Sequence, residues 1–189
     1  MQLSLLQNKK GFTLVETLVS LAIFTSAVVG MIVITSQGIN DTVYAKNKLV
    51  ATALSQEGIE IVRNIRDSSL LANSADGWND FLTTVDSCMS SMCDIAPLYE
   101  DMASVNIIQC PTQGDCRLRR DTTLGDPAYY TNQGSGDETS FSRTIKINGI
   151  DLNSVEIIST VSWIQGSGAE KEVVSKEYLT NWFNNTVTP

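Results

Sequence analysis

Residues 12–34 read FTLVETLVSLAIFTSAVVGMIVI, 23 positions with a single charged side chain, Glu16. A helix of that length and composition crosses the hydrocarbon core of a bilayer. Lys9 and Lys10 stand just before it, and the positive-inside bias puts the N-terminus in the cytoplasm and the rest of the chain outside. A secretory signal would have a shorter apolar stretch, ending at a small-x-small cleavage site, and no such site stands between Ser26 and Gly38. The run therefore reads as a lasting anchor.

Glu16 is the anomaly in it. A carboxylate in lipid is costly and needs a named partner, yet no Lys or Arg occurs between Gly11 and Lys46. A cut between Gly11 and Phe12 would create an α-amino group four residues before Glu16. At this point KKGFTLVE resembles the processing site of type IV prepilins and pseudopilins, over about the first 30 residues. That resemblance implies that a membrane-embedded peptidase cuts after Gly11 and that Phe12 becomes N-methylated. It also implies that Glu16 meets the amino terminus of a neighbouring subunit during assembly, which would offset the burial of its charge and set axial register.

Beyond the anchor, Val43, Leu49, Val50, Ala53, Leu54, Ile61, Val62 and Ile65 recur at three- and four-residue steps, the pattern of an amphipathic helix. Glu57, Glu60 and Arg63 fall largely on its other side. Asp67-Ser68-Ser69 marks the exit. Gly30, Gly38 and Asn40-Asp41 are poor helix formers that a long helix would have to tolerate. Arg63 and Arg66 are read first as part of a solvated face, with acids of the head or of a neighbouring subunit within reach as the alternative.

Charge is uneven along the chain. Residues 67–189 hold 17 Asp and Glu against 7 Lys and Arg, and the whole chain has no His. The missing His removes Ser-His-Asp triads and the commonest zinc ligand, while the acidic surplus argues against a general nucleic-acid binder. The four Cys are Cys88, Cys93, Cys110 and Cys116. An even count beyond an export-type N-terminus favours disulfides. Local pairing, 88 with 93 and 110 with 116, and a nested pairing, 88 with 116 and 93 with 110, are both open.

In the head, Trp78, Phe81, Leu82 and Val85 suit a helical turn or two, and residues 105–108 a short strand. Residues 141–147 alternate, Asn148-Gly149 signals a hairpin, residues 155–164 are β-branched, and Gly166-Ser167-Gly168 turns the chain into residues 172–179. These make a three-stranded meander with one face free to cover the stem. The run VSWIQGSGAEKEVVSKEYLTNW resembles the terminal hairpin of minor pilins.

The expected fold is α+β and pilin-like. One long N-terminal helix, membrane-spanning in its first half and amphipathic in its second, packs on a C-terminal antiparallel sheet, with an irregular disulfide-stapled insertion. The expected divisions are a leader at 1–11, an assembly half at 12–35, an amphipathic half at 36–66, an irregular Cys-containing region at 67–140 and the sheet at 141–189.

The function this implies is a structural subunit, a minor pilin or pseudopilin, and not an enzyme. Its partners would be other pilin subunits, the prepilin peptidase, an inner-membrane assembly platform and, before assembly, membrane lipid. It would begin as a single-pass precursor and end in a cell-surface or periplasmic filament. No cofactor is expected; Asp121, Asp126, Asp137 and Glu138 are a weak Ca2+ set, without the D-x-D-x-D-G pattern. Arg117-Leu118-Arg119-Arg120 is the one basic cluster in the head and the basis of the rival reading, a DNA-binding or adhesive tip subunit. A membrane-anchored extracellular enzyme is the rival from another class; no nucleophile turn or phosphate loop supports it.

Overall fold

A computed structural model describes residues 11–73, 75–97, 105–121, 129–132, 136–166 and 168–183. Lys9, Lys10 and Asp126 lie outside them. The chain divides into two compact units, residues 1–44 and 45–189. Helix α1 (Leu14–Ala72) belongs to both.

In the first unit α1 is exposed along its whole described length. Its hydroxyls turn back on their own helix: Thr17 Oγ1 donates to the Leu14 carbonyl at 2.8 Å, Ser20 Oγ to Glu16 at 2.8 Å, Ser26 Oγ to Ile23 at 2.8 Å and Thr35 Oγ1 to Met31 at 2.8 Å. Such bonds satisfy polar side chains internally where a lipid surround offers no partner. Gly30, Gly38 and Asn40-Asp41 sit inside the helix without ending it.

In the second unit the remaining elements are α2 (Gly77–Thr84), α3 (Asp86–Ser90), β1 (Cys93–Pro97), β2 (Val105–Gln109), β3 (Arg117–Asp121), β4 (Tyr129–Thr131), β5 (Asp137–Asp151), β6 (Ser154–Gln165) and β7 (Ala169–Thr180). They form one antiparallel sheet. β5 pairs β6 along its length and β6 pairs β7. The other edge of β5 is shared: its first half meets β3, and Ile145 meets Cys93 of β1. β1 and β3 in turn pair β2 and β4. Four of these strands come from the region expected to be irregular: β2 is the strand expected at residues 105–108, while β1, β3 and β4 are runs of three to five residues too short to show a period of two.

The helix departs from expectation in two ways. It runs on to Ala72, past Asp67-Ser68-Ser69, because Leu70 is buried in the core and holds the added turn. Its buried face is Ala51, Leu54, Ser55, Gly58, Ile59, Val62, Ile65, Arg66 and Leu70. Leu54, Val62 and Ile65 were expected; Val43, Leu49 and Ala53 are exposed instead. Small residues take the contact because helix and sheet meet closely there. Ser55 Oγ donates to the Ser159 carbonyl at 3.0 Å, and a Cβ on Gly58 would lie 2.8 Å from Ser159 Oγ and 3.2 Å from Arg143 Cδ.

The Asn148-Gly149 hairpin is also corrected. Both residues lie inside β5, opposite Glu156 and Val155, and continue the ladder instead of turning the chain. The chain turns at Leu152 and Asn153, where Asp151 Oδ1 accepts the Asn153 N–H at 2.7 Å. Gly166 and Gly168 stand at the turn as read, with φ of 56° and 104°; Ser167 lies outside the described residues.

Two apolar clusters fill the space between α1 and the sheet. One gathers Val62, Ile65, Phe81, Ile145 and Ile157; the other gathers Leu54, Leu118, Phe141, Val161 and Trp163. Between them lies Arg143, fully buried. Its Nε donates to Asp94 Oδ1 at 2.7 Å, one terminal nitrogen to the Ile95 carbonyl at 3.1 Å and the other to the Leu54 carbonyl at 3.4 Å. Glu57 Oε2 stands 3.5 Å from the same guanidinium. Asn132 Nδ2 donates to the second Asp94 oxygen at 2.8 Å. Burial pushes the Asp94 carboxyl above its ordinary value, opposed by Arg143. Burial works to lower the Arg143 pKa, but Asp94 and Glu57 overcome it and leave it raised.

Two outcomes test this packing. A Cβ on Gly77 would lie 2.3 Å from the Ser69 carbonyl oxygen and 2.8 Å from Leu70 Cα, backbone that cannot rotate away. Gly77→Ala should therefore cost about 2–4 kcal/mol in thermal unfolding. A cost under about 0.5 kcal/mol would contradict the close approach. Arg143→Met strands a buried carboxylate and should cost about 3–5 kcal/mol at neutral pH. Because the folded pKa of Asp94 lies above its unfolded value, the folded state binds the extra proton. The variant should therefore gain stability as pH falls toward that folded pKa, and Asp94→Asn added to Arg143→Met should remove the gain.

Candidate assembly segment

The helix start is built by Thr13. Its Oγ1 accepts the Glu16 N–H at 3.3 Å and its carbonyl the Thr17 N–H at 3.2 Å. Thr13-x-x-Glu16 is the spacing of a helix-start box, a signal that reading Glu16 for its charge alone passes over. Glu16 thus occupies the first turn, where the helix dipole favours an acid. Gly11 and Phe12 precede the helix, both exposed. Among the described residues, no basic side chain lies near enough in sequence to neutralise Glu16 within its own helix.

From there to Ile39 every large apolar side chain of α1 is exposed, Leu14 at 76% and Ile34 at 70%. By length and composition this helix can cross a membrane. An apolar surface this continuous requires lipid or other apolar helices around it.

The stem arginines are not simply solvated. Arg63 ion-pairs with Glu60 on its own helix and with Glu177 on β7. Arg66 is buried, with Nε on Asp67 at 2.8 Å and a terminal nitrogen on the Thr180 carbonyl at 3.5 Å. Both fasten the end of α1 to β7. Beside them Glu57, Glu60 and Glu177 line an open groove with Gln56 and Ile59. Burial raises the Glu57 pKa, with Arg143 opposing and Asp94 adding to it.

The four cysteines pair locally, Cys88 with Cys93 and Cys110 with Cys116. The first bridge ties α3 to β1 inside the main apolar cluster; the second closes the loop leading into β3. Within the basic cluster Leu118 is a core residue. Arg119 donates to Glu138 at 2.7 Å and Arg117 lies 3.6 Å from the same carboxylate, so an acid already balances much of that charge. Of the suggested Ca2+ set, Glu138 is thus engaged with arginines. Among the described residues, no group of three or more His, Cys, Asp or Glu is placed to hold a metal ion.

Both bridges close short loops, and chain-entropy arguments give each about 2 kcal/mol. Replacing either pair by alanines should lower the unfolding temperature of the oxidised protein by roughly 4–8 °C. The same pair replacement compared under reducing conditions should show little difference. Equal melting of the oxidised parent and both variants would show that the bridges are dispensable.

The model of the prokaryotic N-terminal methylation motif matches residues 6–34. No curated protein and no solved structure matches the chain at a significant level. The matched segment holds Gly11, Phe12 and Glu16, and supports a type IV pilin-like or pseudopilin structural role, with processing by a prepilin peptidase and assembly with other subunits. The motif and the long apolar helix that carries it, packed in its second half on an antiparallel sheet, fit the type IV pilin and pseudopilin family.

Proposed function

We propose that the chain is a minor pilin or pseudopilin, inserted in the membrane as a precursor with its N-terminus inside, cut after Gly11 and methylated on Phe12. The observation that carries this is the methylation motif at residues 6–34 running directly into an exposed apolar helix. The cut leaves Phe12 as a charged amine one helical turn from Glu16. In lipid each charge alone is costly, so the amine of one subunit and the carboxylate of the next are better satisfied together than apart. Transfer from bilayer to filament then exchanges lipid for helix contacts around the same apolar surface, with van der Waals packing supplying the cohesion. The chain carries no nucleotide-binding motif, so an ATPase elsewhere would drive extrusion.

Intact mass with and without a co-expressed prepilin peptidase tests the reading. The expected product lacks residues 1–11 and carries one methyl group on Phe12. An uncut chain, or a cut between residues 26 and 38, would overturn it. Glu16→Gln should be cut like the parent but enter filaments at a small fraction of the parent level; incorporation at the parent level would remove Glu16 from assembly.

A further inference from the structure

We propose that the stems of two copies of this chain pack side by side and parallel, with Leu49 of one copy seated in a hole formed by Ala53, Gln56, Glu57 and Glu60 of the next. The contact rests on the pilin or pseudopilin reading and gives it a register. Knob and hole both lie on the part of α1 that packs on the sheet, and on its opposite side. There α1 buries Ala51, Leu54, Ser55 and Gly58. Positions 49, 53, 56 and 60, at four- and three-residue steps, share the other face. All four are exposed, Leu49 at 72%.

Ala53, Gln56, Glu57 and Glu60 stand at i, i+3, i+4 and i+7. Four residues so spaced outline the hole that receives a knob when parallel helices interdigitate. The same four line the open groove that Ile59 and Glu177 of β7 complete. Along the row 49, 53, 56, 60, 63 and 67, Ala53 is the only small side chain. Farther along, the Arg63–Glu60 ion pair fills the corresponding space; one turn back, Leu49 itself fills it. The face therefore offers one knob and one hole. Seating the knob staggers the two stems by roughly 11 Å at the helical rise. Both stems keep the same direction, as copies anchored in one membrane require. The stagger also has the sense in which a Phe12 amine would reach Glu16 of its neighbour.

Charge agrees with this register. Of the acids in the groove, Glu60 and Glu177 share Arg63. Glu57 is left on the rim, 3.5 Å from Arg143 and with 43% of its side chain exposed. Lys46, three residues before Leu49 on the same face, is exposed and, among the described residues, has no ion-pair partner. With Leu49 seated, Lys46 comes level with Ala53 of the other copy, one turn below Glu57, a gap that a long lysine stem spans. A stagger one turn larger would bring Lys46 level with Glu57 but drive Leu49 into the Arg63–Glu60 pair.

Disulfide trapping in cells that make the full chain with a prepilin peptidase and pilus assembly proteins tests the contact, with intact mass read on the same sample. The native cysteines are all bridged, so introduced thiols are the only free ones. Facing positions on packed helices come within disulfide reach. Leu49→Cys and Gln56→Cys in one chain, too far apart on one helix to bridge internally, should give covalent dimers. Either variant alone should give none, because like positions are offset by roughly 11 Å. Leu49→Cys with Asn64→Cys should also give none. In the trapping pair, Ala53→Leu fills the hole and should cut the dimer yield about tenfold, while Ala53→Ser should leave it unchanged. Lys46→Gln and Glu57→Gln should each cut the yield about threefold, and together no further than either alone; losses that multiply would separate the two residues and overturn the register. A cut chain that gives no 49–56 dimer, gives 49–64 dimers as readily, or traps undiminished with Ala53→Leu would overturn the contact and leave the pilin reading standing. An uncut chain that still gives the 49–56 dimer would keep the contact and overturn the pilin reading. An uncut chain without that dimer would overturn both.

Discussion

Arg143 sits where the long helix crosses the sheet, and a guanidinium taken fully out of water must find an acceptor for nearly every N–H it carries. It takes them from three places: the Asp94 carboxylate, the Ile95 carbonyl of the same strand, and the Leu54 carbonyl of α1. The consequences spread outward. β1 is held against β5 though they share a single ladder pair. Asn132, just after β4, is drawn to the second Asp94 oxygen. The helix must pass close enough for its backbone to accept a side-chain donor, which is why Ser55 and Gly58, and not leucines, stand at the crossing. Buried ion pairs are often no more stabilising than a well-packed apolar layer. The polar layer instead fixes one helix position and one strand alignment, since a slide of either leaves a charge unpaired.

The same logic, with the solvent reversed, governs the first part of α1. Its hydroxyls bond back to their own helix, its helix start is capped by Thr13, and its apolar side chains face outward. Only Glu16 lacks a local answer. In the head a charge is buried with its partner in the same chain; in the anchor a charge is placed where no partner in the same helix exists. The first arrangement stabilises a fold and the second requires a neighbour, which agrees with the methylation motif matched over the same residues.

What could be read from the sequence follows from how local each signal is. The anchor, the amphipathic stem and the two hairpin strands β6 and β7 are long, and their periods of 3.6 and 2 survive averaging. The true β5–β6 turn was hidden because Asn148-Gly149 is the stronger local signal, yet Val155 and Ile157 reach the core only when the turn lies farther on, at Leu152 and Asn153. Of the short strands only β2 was legible, as the strand expected at residues 105–108; β1, β3 and β4 are too short to show periodicity. Their places are set by Cys93, Leu118 and Asp94, contacts that skip many residues in sequence. Arg143 looked like one more charge on an alternating strand, and nothing nearby announces that its partner is 49 residues away. The Thr13 cap was legible and was overshadowed by the charge of Glu16.

An acidic head poses a problem for any assembly that brings copies together. With 17 acids against 7 bases in residues 67–189, two heads repel at long range, screened beyond roughly 8–10 Å at physiological salt. Helix packing can overcome that repulsion but cannot direct where heads touch. Direction has to come from contacts shorter than the screening length, where the order of charges matters and their sum does not.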